Sequence, residues 1–212
     1  MDSIDQIRNN IVEVDMLLDY ASNNTEDIKR YQMFIKASVV LLSTKFEVFL
    51  EEFIDEHSRL VLAGHTNATI STELKNKYID TAVDMVRETK NRTKKNQYLS
   101  MVSKLLKNSG ESISTFSSIR PSTKFSFGKH GQKEIEALFE RHGLKAFITS
   151  EPIHNLLQIM NSLFSIRNNV IHEDASPTLT HQTIQNHKDN IMRFVDLLEN
   201  DITVNHMAYY NH

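Results

Sequence analysis

The feature that most constrains the fold is a long stretch, residues 24–63, that has helical periodicity and contains no glycine or proline. It begins at a cap-like Asn24-Thr25-Glu26-Asp27 and stops at Gly64. Its apolar side chains recur every three or four residues, which is typical of an amphipathic helix. They are Phe34, Ile35, Leu41, Leu42, Phe46, Phe49, Leu50, Phe53 and Ile54. Since the 212-residue chain has only five glycines and three prolines, we expect few turns, long helices and an all-α fold.

The remainder of the chain predicts further helices of ordinary length. They cover residues 3–20, a segment that starts at Ser71 or Thr72, and residues 98–106, 132–142, 150–172 and 180–203. Residues 108–131 interrupt this pattern because they are rich in serine and contain proline and glycine, so we interpret them as an irregular excursion with a short extended piece at KFSF. We find no repeat and no long linker, and therefore predict a single domain over residues 1–212, built from long antiparallel helices.

Several classes of protein do not fit this composition. The chain has no cysteine, and its N-terminus MDSIDQIRNN is acidic and polar, unlike a signal peptide. Its most apolar run, residues 37–42, is far shorter than the ~20 residues that span a bilayer. There is no phosphate-binding glycine loop, no HExxH, no GxSxG and no convincing metal-ligand spacing. We therefore expect a soluble cytoplasmic protein without a cofactor, a metal or a membrane partner.

Positive charge is concentrated in one part of the sequence. Residues 87–133 contain 11 basic and 2 acidic residues, whereas the segments on either side are acidic. Such an asymmetry favours binding to a polyanion, and we predict a basic helix and loop insertion at about 87–133 that contacts RNA. The candidate RNA-binding residues are Arg87, Lys90, Arg92, Lys94, Lys95, Arg120, Lys124 and Lys129. Phe125 and Phe127 can stack on unpaired bases, but core packing is the more common role for phenylalanine.

The segment IRNNVIHED, residues 166–174, carries the strongest chemical signal. An arginine and a histidine near a helix end are ordinarily a solvated side chain and a cation that suits the helix dipole. Here they follow a strongly apolar helical pattern, where polar groups must be paired or functional. Asn168 and His172 are four residues apart and share a face, and the helix is predicted to end just after His172.

RNNVIH resembles the R-N-x-x-x-H form of the motif found in HEPN-domain proteins (the higher eukaryotes and prokaryotes nucleotide-binding domain). The motif lies late in the chain and is followed by one more helix, as in that superfamily. Residues 37–53 and the stretch from GQKEIEALFERHG to the motif are similar to the RiboL-PSP-HEPN branch. The resemblance covers most of the chain, although its specific core is six residues.

The resemblance implies an all-α, metal-independent endoribonuclease whose two motifs meet across the axis of a homodimer, with a 2′,3′-cyclic phosphate as product. Arg167, Asn168 and His172 are then the catalytic residues. The residue chemistry agrees, because a histidine can act as acid or base near neutrality and arginine suits a phosphate that gains charge. Glu47 is a candidate for orienting Arg167 or His172, although a carboxylate at the edge of an amphipathic face is an equally good interpretation.

One geometric difficulty remains, because positions five apart lie about 140° around an ideal helix. Either the helix unwinds near His172, or Arg167 of one chain works with His172 of the other. The family further implies a toxin or anti-phage defence effector that cleaves tRNA or other RNA and is held by an antitoxin or a defence-system partner.

Two alternatives stay open. One is a catalytically silent HEPN dimer that serves as a nucleic-acid-binding or protein-interaction module, against which the intact motif argues. The other is a helical toxin partner regulated by nucleotide modification. Such partners often have a tyrosine two residues after the histidine, and here that position is Asp174.

Overall fold

A computed structural model describes residues 1–107, 109–125, 131–172 and 179–206, with the side chains of His172 and His206 excepted. Its α-helices are α1 (Asp2–Asn10), α2 (Val12–Ser22), α3 (Ile28–Gly64), α4 (Thr72–Glu88), α5 (Arg92–Leu106), α6 (Gln132–Arg141), α7 (Lys145–Ile148), α8 (Glu151–His172) and α9 (His181–Asp201). A 3-10 helix covers Ile113–Ile119, and a π-helix covers Ile202–His206. No strand occurs in the described ranges, so the predicted all-α fold is confirmed.

Helix α3 is the axis of the molecule. The side chain of Asp27 caps its first turn by accepting a hydrogen bond from the backbone N–H of Arg30 at 3.1 Å. The helix then continues for 37 residues to Gly64, a length of about 55 Å. The predicted extent of this helix is therefore confirmed, and every other element can be located by the part of α3 that it contacts.

The larger of two cores surrounds the first two thirds of α3 and is rich in phenylalanine. Phe46 of α3 stacks on Phe164 of α8, with ring centroids 6.3 Å apart, and meets Phe194 of α9 edge-on at 5.6 Å. Val170, further along α8, lines a groove with Ala37 and Leu41, which precede Phe46 in α3. Helices α3 and α8 therefore run antiparallel, and the end of α8 lies beside the early turns of α3.

A second, smaller core lies at the far end of α3. It combines Val61 and Leu62 of α3 with residues of α4, Leu105 of α5 and the 3-10 helix. The chain enters and leaves this region at one place, because Thr66 and Ser112 form an isolated bridge. Backbone hydrogen bonds join Ile113 N to His65 O at 3.0 Å and Asn67 N to Glu111 O at 2.8 Å.

Some predicted elements differ from the observed ones. The first helix is divided at Ile11, and the short α7 was not expected. Helix α5 begins at Arg92 and not at Tyr98, because the side chain of Asn91 accepts hydrogen bonds from the backbone of Thr93 and Lys94 and starts the helix early. The serine-rich excursion is partly regular, since residues 113–119 form the 3-10 helix.

The predicted ends of α6 and α8 agree with the structure. Helix α6 ends before Gly143, whose φ of 81° is a left-handed conformation that favours glycine. Helix α8 opens with Glu151 and Pro152 and remains helical through His172. Within the described residues, no helix has the length and apolar content that a membrane crossing requires.

Candidate functional site

The predicted catalytic residues lie on the last turns of α8. Met160, Leu163 and Phe164 are buried against α3 and α9, and Arg167 follows them on the same helical stripe. Arg167 is half-buried, whereas Asn168 and Asn169 are exposed. The stripe that packs α8 against the core thus ends in a guanidinium group, which brings a fixed positive charge to the rim of the core.

The guanidinium of Arg167 is only partly satisfied. Its Nη1 donates a hydrogen bond to Oδ1 of Asn168 at 3.0 Å. Its Nε is buried, and no acceptor for it occurs among the described residues. A buried donor without a partner costs free energy, so this position of the guanidinium is held at a cost to the stability of the fold.

The motif is more exposed than the sequence pattern predicts. Ile166 and Val170 are only half-buried, and Ile171 is 45% exposed. The interpretation that these polar residues sit deep in an apolar helix is therefore wrong for its last turn. The backbone of His172 continues the helix, whereas its side chain and Asp174 lie outside the described residues.

Glu47 lies close to Arg167 along the helix pair. It follows Phe46, whose ring stacks on Phe164 at 6.3 Å, and Arg167 comes three residues after Phe164. Because α3 and α8 are antiparallel, Glu47 and Arg167 are separated by roughly one turn along the axes. Glu47 is half-buried and its Oε1 atom is buried, and its orienting role stays a prediction.

A shallow apolar groove lies directly beside the motif. Its volume is 520 Å³, and it is lined by Leu17, Lys36, Ala37, Val40, Leu41, Thr44 and Val170. Nearby on α2, Met16 and Tyr20 are 53% and 52% exposed. An apolar surface of this kind on the early turns of α3, next to a partly satisfied arginine, is typical of a protein–protein contact.

A cleft beside the second half of α3 has the wrong charge for RNA. It has a volume of 620 Å³, and its lining includes Glu51, Glu52, Asp55 and Glu56. Glu56 caps α1, because its carboxylate accepts hydrogen bonds from the backbone of Asp2 and Ser3 at 3.0 and 3.1 Å. The lining has five carboxylates against two cations, Arg59 and Lys124, so its net negative charge repels a polyanion and the cleft does not qualify as an RNA site.

Two of the predicted RNA-binding residues are held by this acidic surface. Arg120 donates to Asp55 at 3.0 Å, and Lys124 pairs with Glu51 at 2.8 Å. Phe125 packs against the larger core, which confirms core packing for that ring. Phe127 and Lys129 lie outside the described residues.

The other predicted RNA-binding residues lie around α5. Arg87 pairs with Asp84 at 3.3 Å on the surface of α4. Lys90, Arg92, Lys94 and Lys95 have no carboxylate partner within the described ranges. The structure thus separates the predicted basic residues into a group that is neutralised and a group that is available.

Two buried histidines outside the motif belong to the scaffold. Burial lowers the pKa of His142 to about 4, and burial also lowers the pKa of His187. Both are therefore neutral at pH 7, and His142 donates from Nε2 to the backbone oxygen of Ser122 at 3.1 Å. In the described part of the chain, no group of three His, Asp or Glu side chains is arranged to hold a metal ion.

Comparison with known proteins agrees with this description. The RiboL-PSP-HEPN family model matches residues 5–204. The chain therefore belongs to the RiboL-PSP-HEPN family, which associates it with a nuclease or other RNA-related function. No curated protein and no solved structure gives a significant match.

Proposed function

We propose that this protein is a metal-independent endoribonuclease that acts as a homodimer in the cytoplasm. The observation that carries the proposal is the placement of Arg167 at the rim of the core, with a buried donor that no described residue satisfies, inside an R-N-x-x-x-H motif of a HEPN-family chain. A phosphate oxygen is a suitable acceptor for this donor, because guanidinium groups bind phosphate through several hydrogen bonds.

In the proposed reaction the ribose 2′-OH attacks the adjacent phosphorus. The P–O2′ bond forms, the P–O5′ bond breaks, and the products are a 2′,3′-cyclic phosphate and a 5′-OH. One His172 removes the proton from the 2′-OH, and a second His172 donates a proton to the leaving O5′. Arg167 stabilises the charge that develops on the phosphate oxygens, and the hydrogen bond from Arg167 to Asn168 orients the guanidinium.

The helical backbone supports a site shared by two chains. Because α8 stays helical through His172, Arg167 and His172 of one chain are about 140° apart around the axis. One chain also has only one motif histidine, whereas the reaction uses an acid and a base. A second copy that docks its motif face on the groove beside Val170 supplies the missing group.

The biological proposal is a toxin or anti-phage effector that cleaves tRNA or another cellular RNA, restrained by an antitoxin or a defence-system partner. Lys90, Arg92, Lys94 and Lys95 are proposed to contribute most to RNA binding. Arg87, Arg120 and Lys124, which pair with carboxylates, are proposed to contribute less, and Lys129 lies outside the described residues. Glu47 is proposed to orient Arg167 or His172.

The test is RNA cleavage in EDTA by the wild type, Arg167→Ala and His172→Ala, with Arg193→Ala as a control at an exposed arginine of α9. Each motif variant is expected to cleave about 10²–10⁴-fold more slowly, because it loses a proton-transfer group or the charge that stabilises the transition state. Unchanged cleavage by both folded motif variants would exclude the site. Loss of wild-type activity in EDTA would exclude the metal-independent mechanism, and RNA binding without cleavage would favour the silent module.

The dimer is tested separately by mass measurement in solution. Ala37 is exposed in the apolar groove, so Ala37→Glu is expected to yield monomers that cleave poorly. Ala137→Glu, at an exposed alanine of α6, is the matched control and is expected to remain dimeric. A wild type that is monomeric and active would overturn the shared site, whereas partial activity on mixing Arg167→Ala with His172→Ala would support it.

A further inference from the structure

Helix α5 contributes little to the second core. Its inner stripe of Tyr98, Met101, Val102 and Leu105 contacts the second core, but Leu105 alone among the residues of α5 is fully buried. The rest of the helix projects into solvent. The helix and its flanking residues carry no negative side chain, because residues 89–110 contain no aspartate or glutamate.

The outer face of α5 carries hydrogen-bond donors from end to end. Arg92, Asn96, Ser103 and Lys107 point away from the inner stripe and are all exposed. They extend over about 22 Å. Lys90, Arg92, Lys94, Lys95 and Lys107 have no carboxylate partner among the described residues, whereas Lys104 is 3.6 Å from Glu111. An acid-free face of this length attracts a regular row of phosphates.

A polar groove runs along the same helix. It has a volume of 420 Å³ and is lined by Thr93, Asn96, Gln97, Ser100, Met101 and Lys104. Its hydroxyl and amide groups can bond to phosphate oxygens and to ribose 2′-OH groups. It has no aromatic lining residue on which an unpaired base could stack. Proteins that bind single strands rely on such stacking, whereas duplex RNA is recognised through its phosphates and 2′-OH groups.

The distance between α5 and the motif limits the kinds of RNA that can contact both. The motif lies beside Leu41 of α3, and the second core that supports α5 includes Val61, which is 20 residues further along the same helix. The two regions are therefore about 30 Å apart, close to one turn of a nucleic acid duplex. A single RNA that contacts both regions of one chain must therefore span about 30 Å.

We propose that the outer face of α5 binds the backbone of a double-stranded part of the RNA, while the motif acts on a segment about 30 Å away. The preferred substrate is then a folded RNA with a stem of about one turn or more. This inference rests on the proposed function for the identity of the ligand as RNA, but binding at α5 is measurable without cleavage.

The experiment measures binding to two labelled RNAs of equal length and base composition, a hairpin and an unstructured strand. All proteins carry Arg167→Ala so that the RNA stays intact. The α5 variant adds Arg92→Gln and Lys107→Gln, at the two ends of the outer face, and Lys94→Gln in the exposed first turn of the helix. The control adds Lys133→Gln, Lys145→Gln and Arg193→Gln, which remove one arginine and two lysines that are equally exposed and equally without a carboxylate partner in the described ranges.

The α5 variant is expected to bind the hairpin roughly tenfold more weakly or worse near 0.1 M salt, and the slope of log K against log salt concentration is expected to fall by about 2 to 3. The control is expected to keep the affinity and slope of the parent. The preference for the hairpin over the unstructured strand is expected to disappear with the α5 charges.

Hairpin binding by the α5 variant with an unchanged slope would overturn the inference. The inference would also be overturned if the parent protein bound the unstructured strand as tightly as the hairpin through the same three residues. If the parent binds the hairpin through α5 but the wild type cleaves no RNA, the proposed nuclease fails and the binding inference stands. If the wild type cleaves RNA but the α5 variant binds the hairpin as the parent does, the binding inference fails and the proposed nuclease stands.

Discussion

Arg120 and Lys124 share a basic stretch of sequence with Arg92, Lys94 and Lys107, but the fold gives the two groups opposite surroundings. Arg120 and Lys124 lie on the middle of α3, where they meet Asp55 at 3.0 Å and Glu51 at 2.8 Å. The three residues of α5 are exposed, with no carboxylate partner in the described structure.

The difference shows that the charge of a segment does not predict its electrostatic field. The loop of residues 120–125 uses its positive charges to hold itself on α3, so they are largely cancelled at a distance. Helix α5 uses apolar contacts for attachment and leaves its charges available. The loop charges therefore act mainly on stability, whereas the α5 charges are available for the proposed binding. The following predictions test that division, in order of expected effect.

Phe116 lies on the 3-10 helix that connects the two basic regions, and it is 1% exposed in the second core. Phe116→Ala is expected to lower the free energy of unfolding by about 3–5 kcal/mol, because it removes a buried ring and leaves a cavity. Leu106→Ala is the control, since Leu106 is 68% exposed and its loss is expected to cost less than about 0.5 kcal/mol. Urea unfolding measures both, and a loss below about 1 kcal/mol for Phe116→Ala would show that the second core is not a cooperative part of the fold.

His142 ties the basic loop to α6 through its hydrogen bond to Ser122 at 3.1 Å. Burial lowers its pKa to about 4, against about 6.5 in an unfolded chain, so the unfolded state takes up the proton first as the pH falls. The free energy of unfolding is therefore expected to decrease below about pH 6.5, by about 2 kcal/mol between pH 7 and pH 5, and to level off below about pH 4.

The measurement compares urea unfolding of the wild type and His142→Gln over this range of pH. Subtracting the two curves removes the contribution of His187, whose pKa is lowered in the same direction. Parallel curves would mean that His142 does not control the attachment of the loop.

Asp55 connects the loop to α3 by accepting from Arg120 at 3.0 Å and from Thr123 at 3.5 Å. Asp55→Asn is expected to lower the free energy of unfolding by about 1–2 kcal/mol, since these are charge-assisted bonds at a partly exposed site. Asp84→Asn breaks the more exposed pair with Arg87 and is expected to cost at most about 0.5 kcal/mol. Equal losses in denaturant unfolding would remove the distinction between an anchoring pair and a surface pair.

Removal of the α5 charges is expected to have the smallest effect on the free energy of unfolding. Arg92→Gln, Lys94→Gln and Lys107→Gln together are expected to change the free energy of unfolding by no more than about 0.5 kcal/mol, because all three side chains are exposed and unpaired in the described structure. Thermal unfolding without RNA tests this expectation. A loss as large as that of Asp55→Asn would contradict the division between binding and anchoring charges.

The sequence predicts the parts of this structure whose cause is local. The bounds of α3, the stop before Gly143 and the start of α8 at Pro152 follow from capping, glycine and proline chemistry. The start of α5 was missed because its first residues are polar and show no apolar period. The 3-10 helix did leave a signal, since Ile113, Phe116 and Ile119 are spaced by three, which is the period of that helix.

For the candidate site too, features with a local cause were predicted and features that depend on distant residues were not. Arg167, Asn168 and His172 were found because six consecutive residues carry the motif. The neutralisation of Arg120 by Asp55 and of Lys124 by Glu51 joins residues 65 and 73 positions apart, and no local pattern predicts it. The exposure of the last turn of α8 was also not predicted, because the apolar pattern of a helix does not show which of its turns the rest of the chain covers.

The bridge between Thr66 and Ser112 has a consequence for how such a protein can change over evolutionary time. The chain is fastened to itself on either side of residues 68–110, so the length and charge of this segment can vary while the larger core and the motif keep their positions. Under the proposed function, mutations in this segment can change which RNA is bound without changing the residues of the motif. The proposed specificity and the proposed reaction are in that sense separately heritable.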